Sequence, residues 1–459
     1  MSALPPLPPL KIMCASGQLG YGIPEDAFKR GIAAGPDVIG ADMGSIDPGP
    51  FCLGSGNVGA GGEAMRRDLR MVLEGARETG APLLLGSAGT AGRRPQLDTV
   101  VEAVVAIAKE RGLKFRMAVI GADIPNEVIR PRIAAGQVKP CGVLPDLQAS
   151  ELDRCTGVVA QMGVEPFQRA IQQGAEIIIA GRSCDTSMFA AIPRMRGYDA
   201  GAAMHMAKLI ECASSCADPG GREASMGVID ANGFTVESMD PRQRCTPVSV
   251  AAHALYEQPD PFLLDEPGGT IDLRNSKYEQ VDDRRVRVTG SVWRPAATYY
   301  VKMEGARLTG YRCVALCGIR DPRMIAALAG VQAETRAIVE RTFAGSIDPA
   351  DYSLVFRNYG HDAVLAAAEP NPGTTGHEAF VIIDVVGKTE SIAKTVCGVA
   401  KQFFLHLRYP GILCTSGNVA HPFSPDVMPV GAVYEFNVYH LLPVDDPCAL
   451  FPIEIREVG

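Results

Sequence analysis

Five β-strands are predicted within the first 190 residues, and each runs directly into a turn punctuated by glycine and carrying small or charged polar side chains. The turns read Cys14-Ala15-Ser16-Gly17-Gln18-Leu19-Gly20, Gly40-Ala41-Asp42-Met43-Gly44-Ser45, Leu85-Gly86-Ser87-Ala88-Gly89-Thr90-Ala91-Gly92, Ile120-Gly121-Ala122-Asp123-Ile124-Pro125 and Ala180-Gly181-Arg182-Ser183-Cys184-Asp185-Thr186. Helical stretches lie between them. In the clearest, Leu97, Val100, Val101, Val104, Val105 and Ala108 recur at the spacing of one buried helix face. Strand and helix in alternation imply right-handed crossovers and a mainly parallel sheet, so all five turns open at one edge, where α/β proteins hold ligands. The competing reading is that such turns need glycine for backbone freedom whatever the protein does. Three aspartates and an arginine among them weigh toward function.

Near Met226 the pattern changes. Met226–Glu237 has Asn232-Gly233 between two strand-like runs, the strongest short hairpin signal. Strands follow at Arg285–Thr289, Tyr299–Met303 and Tyr311–Cys317, then a helix over Pro322–Phe343, strands at Leu354–Arg357 and Phe380–Val386, and a helix over Ser391–Leu407. The fold expected is therefore an N-terminal α/β layer with a mainly parallel sheet and flanking helices, followed by an α+β region with antiparallel strands. Residues 1–240 would form the α/β domain with the glycine-rich loops. Residues 241–459 would form an α+β domain that completes the site or mediates assembly.

A chain of 459 residues exceeds the size at which one core stops growing, so more than one domain is expected. Hydrophobic residues make up 47 % and charged residues 21 %, ordinary globular usage. The net charge of −8, with no Lys/Arg run beyond isolated pairs, argues against nucleic acid as a partner. No apolar stretch approaches the roughly 20 residues that span a bilayer, and the proline-rich Met1–Leu10 lacks a basic start and reads as an extended tail. The expectation is a cytoplasmic protein with no membrane partner, assembled as a homo-oligomer. Its 13 cysteines are scattered without CxxC pairs, which fits a reducing compartment and gives no zinc site.

Gly54-Ser55-Gly56-Asn57-Val58-Gly59 matches GxGxxG literally but does not follow directly from a strand, so it is a poor dinucleotide fingerprint, although amides before a helix could bind an anion. No P-loop occurs. Gly181–Ser187 is the strongest segment: Arg182 could grip a carboxylate bidentately and Asp185 could move protons, against the plainer reading of an Arg/Asp pair that ties a loop down. Asp42 and Asp123, at equivalent strand ends, could add a base or oxygen ligands for Mg²⁺. Ser45, Asp47, Ser87 and Thr90 offer hydroxyls, a carboxylate and turn amides, but no serine sits in a GxSxG elbow. The seven histidines are dispersed without HExxH; His421, with Asn418 in the small-residue turn Thr415–Pro422, is the one kept as able to reach the mouth.

Ile178-Ile179-Ala180-Gly181-Arg182-Ser183-Cys184-Asp185-Thr186-Ser187 resembles the Gly-Arg-x-x-Asp turn of the acyclic terpene utilisation AtuA-like family. Val301-Lys302-Met303-Glu304-Gly305 and Gly318-Ile319-Arg320-Asp321-Pro322 are similar to two further family segments, and the likeness runs over about residues 10–440 as a divergent branch. The resemblance implies a catabolic protein associated with small carboxylic acids or their CoA thioesters, sometimes beside a small companion polypeptide. It implies that Arg182 and Asp185 belong to the shared site, with Lys302 and Glu304 either structural or close to it. The function expected is a lyase of hydratase or dehydratase type acting on a small hydroxy- or unsaturated carboxylic acid or its thioester. In it Arg182 holds the carboxylate, the turn amides of Ser45 and Ser87 stabilise enolate charge, and Asp42 and Asp185 share base and acid duties. No redox cofactor is needed; Mg²⁺ could sit at the aspartates. A non-catalytic or co-catalytic ligand-binding subunit that needs the companion is the alternative, and CoA transferase or ligase chemistry a third.

Overall fold

The computed structural model describes residues 7–256, 258–415 and 418–459. Part of the proline-rich tail, and Ser416 and Gly417 of the turn at 415–422, lie outside them. The strands used below are β1 (Leu10–Ser16), β2 (Val38–Asp42), β3 (Leu83–Gly86), β4 (Phe115–Ile120), β5 (Cys155–Gln161), β6 (Ile177–Ala180), β7 (Ser225–Asp230), β8 (Gly233–Ser238), β9 (Lys277–Gln280), β10 (Val286–Thr289), β11 (Tyr299–Ile319), β12 (Tyr352–Tyr359), β13 (Ala379–Gly387), β14 (Val427–Val444) and β15 (Ile453–Val458).

The five expected strands form one parallel block in the order β1-β2-β3-β6-β4. Ile177, Ile178, Ile179 and Ala180 of β6 are all fully buried, as a continuous apolar strand covered on both faces requires. Helices Gly62–Thr79 and Arg94–Arg111 pack their apolar stripes on this block through Leu69, Val72, Leu73, Leu97, Val100 and Val104. Arg94–Arg111 starts where Arg93 N donates to Gln96 Oε1 at 3.0 Å and stops at Gly112, whose φ of 62° is the left-handed cap that glycine favours.

Two compact units form, Met1–Arg307 with Phe436–Gly459, and Leu308–Glu435. Residue 240 therefore falls inside the first unit. The hairpin expected around Asn232 is present as β7 and β8, but it adds antiparallel to β1 and carries β10 and β9 into the same sheet, while β15 closes the other edge against β4. Long-range pairing thus places later segments in the first sheet. Tyr299–Met303 and Tyr311–Cys317 are one continuous strand: β11 pairs with β5 over Lys302–Arg307 and with β13 over Tyr311–Ile319. The helix expected over Pro322–Phe343 is interrupted at Ala327.

In the second unit β12, β13 and the C-terminal half of β11 make an antiparallel sheet covered on one face by helices Leu328–Phe343 and Glu390–His406. Phe356 stacks on Phe404 with centroids 5.6 Å apart in its core. On the opposite face Asp384 holds Arg312 and Arg357, each at 2.8 Å.

The turns after β3 and β6 interlock through backbone. Arg182 N donates to Gly92 O at 3.2 Å, and a Cβ on Gly92, whose φ is +66°, would lie 2.0 Å from Arg182 N. Gly92→Ala should therefore lower stability by about 3 kcal/mol or more, combining backbone strain with a clash that no rotamer relieves. Gly35→Ala, at a similar φ of +67° but with open space around it, should cost about 1 kcal/mol. Urea unfolding of both variants checks the contrast.

Candidate functional site

Arg182 is the first residue past Gly181 at the end of β6, and only 3 % of it is exposed. Its Nε and Nη2 donate to the two carboxylate oxygens of Glu304 at 2.8 and 3.4 Å. Nη1 donates to Ser87 Oγ and Ser183 O, both at 3.1 Å, and lies 3.6 Å from Asp185 Oδ1. Four of the five guanidinium N–H groups are thus engaged by protein, so the bidentate grip expected on a substrate goes instead to Glu304. Glu304, fully buried on β11, also receives Lys302 Nζ at 3.1 Å. Burial pushes its pKa up, but Arg182 and Lys302 outweigh this and hold it below the usual value.

Lys302 sits 3.2 Å from the Tyr439 hydroxyl, with its ammonium 4.8 Å from that ring's centroid. Burial disfavours its charge, yet Glu304 more than compensates, and it stays cationic. Sequence reasoning left Lys302 and Glu304 undecided; both belong to the Arg182 cluster.

Asp42 ends β2 and is 4 % exposed. Gly44 N donates to its Oδ2 at 3.1 Å, while Oδ1 is buried without a hydrogen-bond partner among the described residues. Burial raises its pKa well above the ordinary range, the Asp185 charge adds to this, and Arg182 opposes it. Asp185 is half-buried, but its Oδ1 too is enclosed and makes no hydrogen bond. Burial raises this acid as well, against the pull of Arg182, Lys208 and Lys302. Asp42, Arg182, Asp185 and Ser87 therefore do converge from three strand ends.

The other expected residues divide. Ser87 N is occupied by Gly181 O at 3.0 Å and Ser183 Oγ at 3.1 Å, so it is not an amide awaiting an enolate. Ser45 Oγ accepts from Asp47 N at 3.1 Å, and Asp47 is exposed. Thr90, at φ +112°, packs its side chain against Gly44 and Gly59 and acts as a wedge between turns. Asp123 accepts from Arg94 N at 2.6 Å and faces Arg93 at 3.6 Å, outside the cluster. Asn418 and His421 belong to the second unit, where Tyr409 donates to Asn418 Oδ1 at 3.0 Å and His421 Nδ1 donates to Leu316 O at 2.9 Å. The GxGxxG loop is pinned by Gln96, whose Nε2 donates to Asn57 O at 2.6 Å. Among the described residues no three His, Cys, Asp or Glu side chains converge, and Asp123, held by Arg94 and Arg93, stands apart from Asp42 and Asp185.

Three groups were missed. Lys208 and Glu211 form a buried ion pair at 2.6 Å, and Glu266 accepts from Thr186 Oγ1 at 2.7 Å and Cys184 Sγ at 2.8 Å, flanking Asp185. Burial pushes Glu211 up to about 8, with Lys208 working against it. The available signal was Lys208 itself, the one charged residue in the otherwise uncharged helix Ala200–Ile210. Gly17 is explained here too, because a Cβ on it would sit 2.7 Å from Glu211 O.

A cleft of about 950 Å³ opens beside the cluster, lined by Arg182, Lys302 and Asp47 at the sheet edge and by residues 144–148 and 436–440 farther along.

A family model described as acyclic terpene utilisation family protein AtuA matches residues 65–412. That span includes Arg182, Asp185, Lys302 and Glu304 and is narrower than the 10–440 expected, leaving out Asp42, Ser45, Asp47, Asn418 and His421. No curated protein and no solved structure matches the chain. Among the described residues no helix is long and apolar enough to cross a membrane.

The raised acid of Asp42 has a thermodynamic sign. The folded state keeps its proton to higher pH than the unfolded chain, so this group favours folding at low pH and loses that contribution as pH climbs from its unfolded value of about 3.8. Asp42→Asn, which cannot ionise, should gain stability relative to the parent as pH rises from about 4 to 8. Urea midpoints of the two proteins across that range read the difference; parallel curves would contradict it.

Proposed function

This chain belongs to the acyclic terpene utilisation AtuA family, a catabolic setting, and we propose that it is a lyase of hydratase or dehydratase type acting on a hydroxy- or unsaturated carboxylic acid or its CoA thioester. The observation that carries this reading is the pairing of two acids of raised pKa, Asp42 and Asp185, with a cation, Lys302, that lines the adjoining cleft. Like charges close together keep a proton between them, and a pair so loaded contains both an acid and a base.

In the dehydration direction Lys302 meets the carboxylate or thioester oxygen on which charge builds as the α-proton leaves. The ionised member of the pair takes that proton, and the protonated member gives its own to the departing hydroxyl. Water leaves, and the pair ends with the proton count it began with. Asp185, the more exposed acid, is the member nearer substrate, and Asp42 exchanges protons with it. Arg182 and Glu304 act as positioning residues: they hold Asp185, Ser87 and Lys302 in place, and the grip on substrate passes from Arg182 to Lys302.

A panel of hydroxy and unsaturated acids and their thioesters, assayed with and without chelator, tests the reading. Asp185→Asn should lower kcat by about 10²- to 10⁴-fold, the usual contribution of a positioned acid or base. Lys302→Met should raise KM and lower kcat together, because the contact it removes strengthens as charge builds on that oxygen. Unchanged kinetics in Asp185→Asn would sink the mechanism. Ligand binding without turnover, with activity appearing when a small companion protein is added, would favour the ligand-binding subunit instead.

A further inference from the structure

We infer that the cleft receives its acyl group as a thioester on a pantetheine-type arm rather than as a free small acid. The inference rests on the cleft being the substrate site proposed above. A four-carbon acid has about six heavy atoms and needs roughly 150 Å³, judged against the 30 Å³ of a water molecule. The cleft offers about 950 Å³, so such an acid beside Lys302 would leave most of it to solvent. Compounds that fill clefts of this size are elongated and several times larger.

The lining fits such a ligand along its length. Beyond Lys302 the wall is mainly apolar, with Leu144, Leu147, Phe436 and Val438, and Asp146, Gln148 and Asn437 are polar groups set along it. Leu144 and Phe436 are 43 % and 40 % exposed, large apolar surfaces left to water at the wall of a polar site. Arg307, ion-paired with Glu151 at 2.8 Å, also lines the cleft. Lys302 and Arg307 lie five residues apart on β11, about 15 Å along a strand. A pantetheine arm is about thirteen bonds from sulfur to phosphorus, close to 15 Å at the reach of an extended chain. The thioester carbonyl at Lys302 would thus place the neutral, partly apolar arm against this wall and its phosphate end near the level of Arg307.

Calorimetric titration of the full chain with pantetheine, which needs no knowledge of the acyl group, tests this directly. At ordinary ligand efficiency for its size, Kd should be on the order of 0.1 mM. Leu144→Glu and Phe436→Glu, each at a partly exposed position and each checked for an unchanged melting profile, should weaken binding at least tenfold. Crotonyl-pantetheine should also be used with kcat/KM at least tenfold above that of crotonic acid. Coenzyme A binding as tightly as pantetheine or more tightly identifies the free cofactor as the source of the arm, and pantetheine binding without coenzyme A binding identifies an arm borne by a carrier protein. No binding of either at millimolar concentration, or binding unaffected by both variants, overturns the inference. Because binding is read without turnover, this failure is separate from failure of the lyase reading, which would appear as pantetheine binding with no activity on any acid or thioester.

Discussion

The buried ion pair between Arg182 and Glu304 is the contact on which the site depends. Both side chains are almost wholly removed from water, at 4 % and 0 % exposure, and neither could be there alone, because an isolated buried charge costs several kcal/mol. The pair joins the turn after β6 to β11, and Lys302 shares the same carboxylate. Ser87 is drawn in from the turn after β3 through Arg182 Nη1. Such pairs add little to net stability; their contribution here is register, since one guanidinium fixes three separate segments at once.

Around that anchor the charges do not balance. Asp42, Asp185, Glu211, Glu266 and Glu304 face Arg182, Lys208 and Lys302, and Glu304 and Glu211 take most of the cationic attraction. Of the five only Glu304 is held below its usual value; Asp42, Asp185, Glu211 and Glu266 all have raised pKa values, each dominated by burial. A low-dielectric site with more carboxylates than cations holds its protons to higher pH than free carboxylates do, which favours acid and base work.

Much of this was legible in the sequence because it is local. Each glycine turn follows its own strand, and five of them in alternation with helices suffice to order a parallel edge, so Asp42, Ser87, Arg182 and Asp185 could be brought together from spacing. What could not be read was the partner of Arg182, since Glu304 is 122 residues away and its arrival depends on β11 pairing with β5. Tyr299–Met303 and Tyr311–Cys317 read as separate strands, and Gly305 and Gly310 lie between them. In the fold these glycines permit close approach, a Cβ on Gly310 falling 2.6 Å from Gly387 O, and do not end the strand. Asn418 and His421 share the small-residue grammar of the other turns but belong to a different compact unit, which no local pattern distinguishes. The pairing of β10 with β8 and of β15 with β4 has the same long-range character, and for that reason the change of pattern near 226 marks no domain boundary.

Cys184 lies next to Asp185, with its sulfur directed at the Glu266 carboxylate and its pKa raised well above that of an ordinary thiol, chiefly by burial. An α,β-unsaturated acyl thioester, one of the substrates proposed above, is a Michael acceptor to which a thiolate in such a place would add. Keeping that sulfur protonated leaves it a poor nucleophile. On the proposed lyase reading, the burial and carboxylates that hold protons in this site would also shield the protein from alkylation by its own substrate.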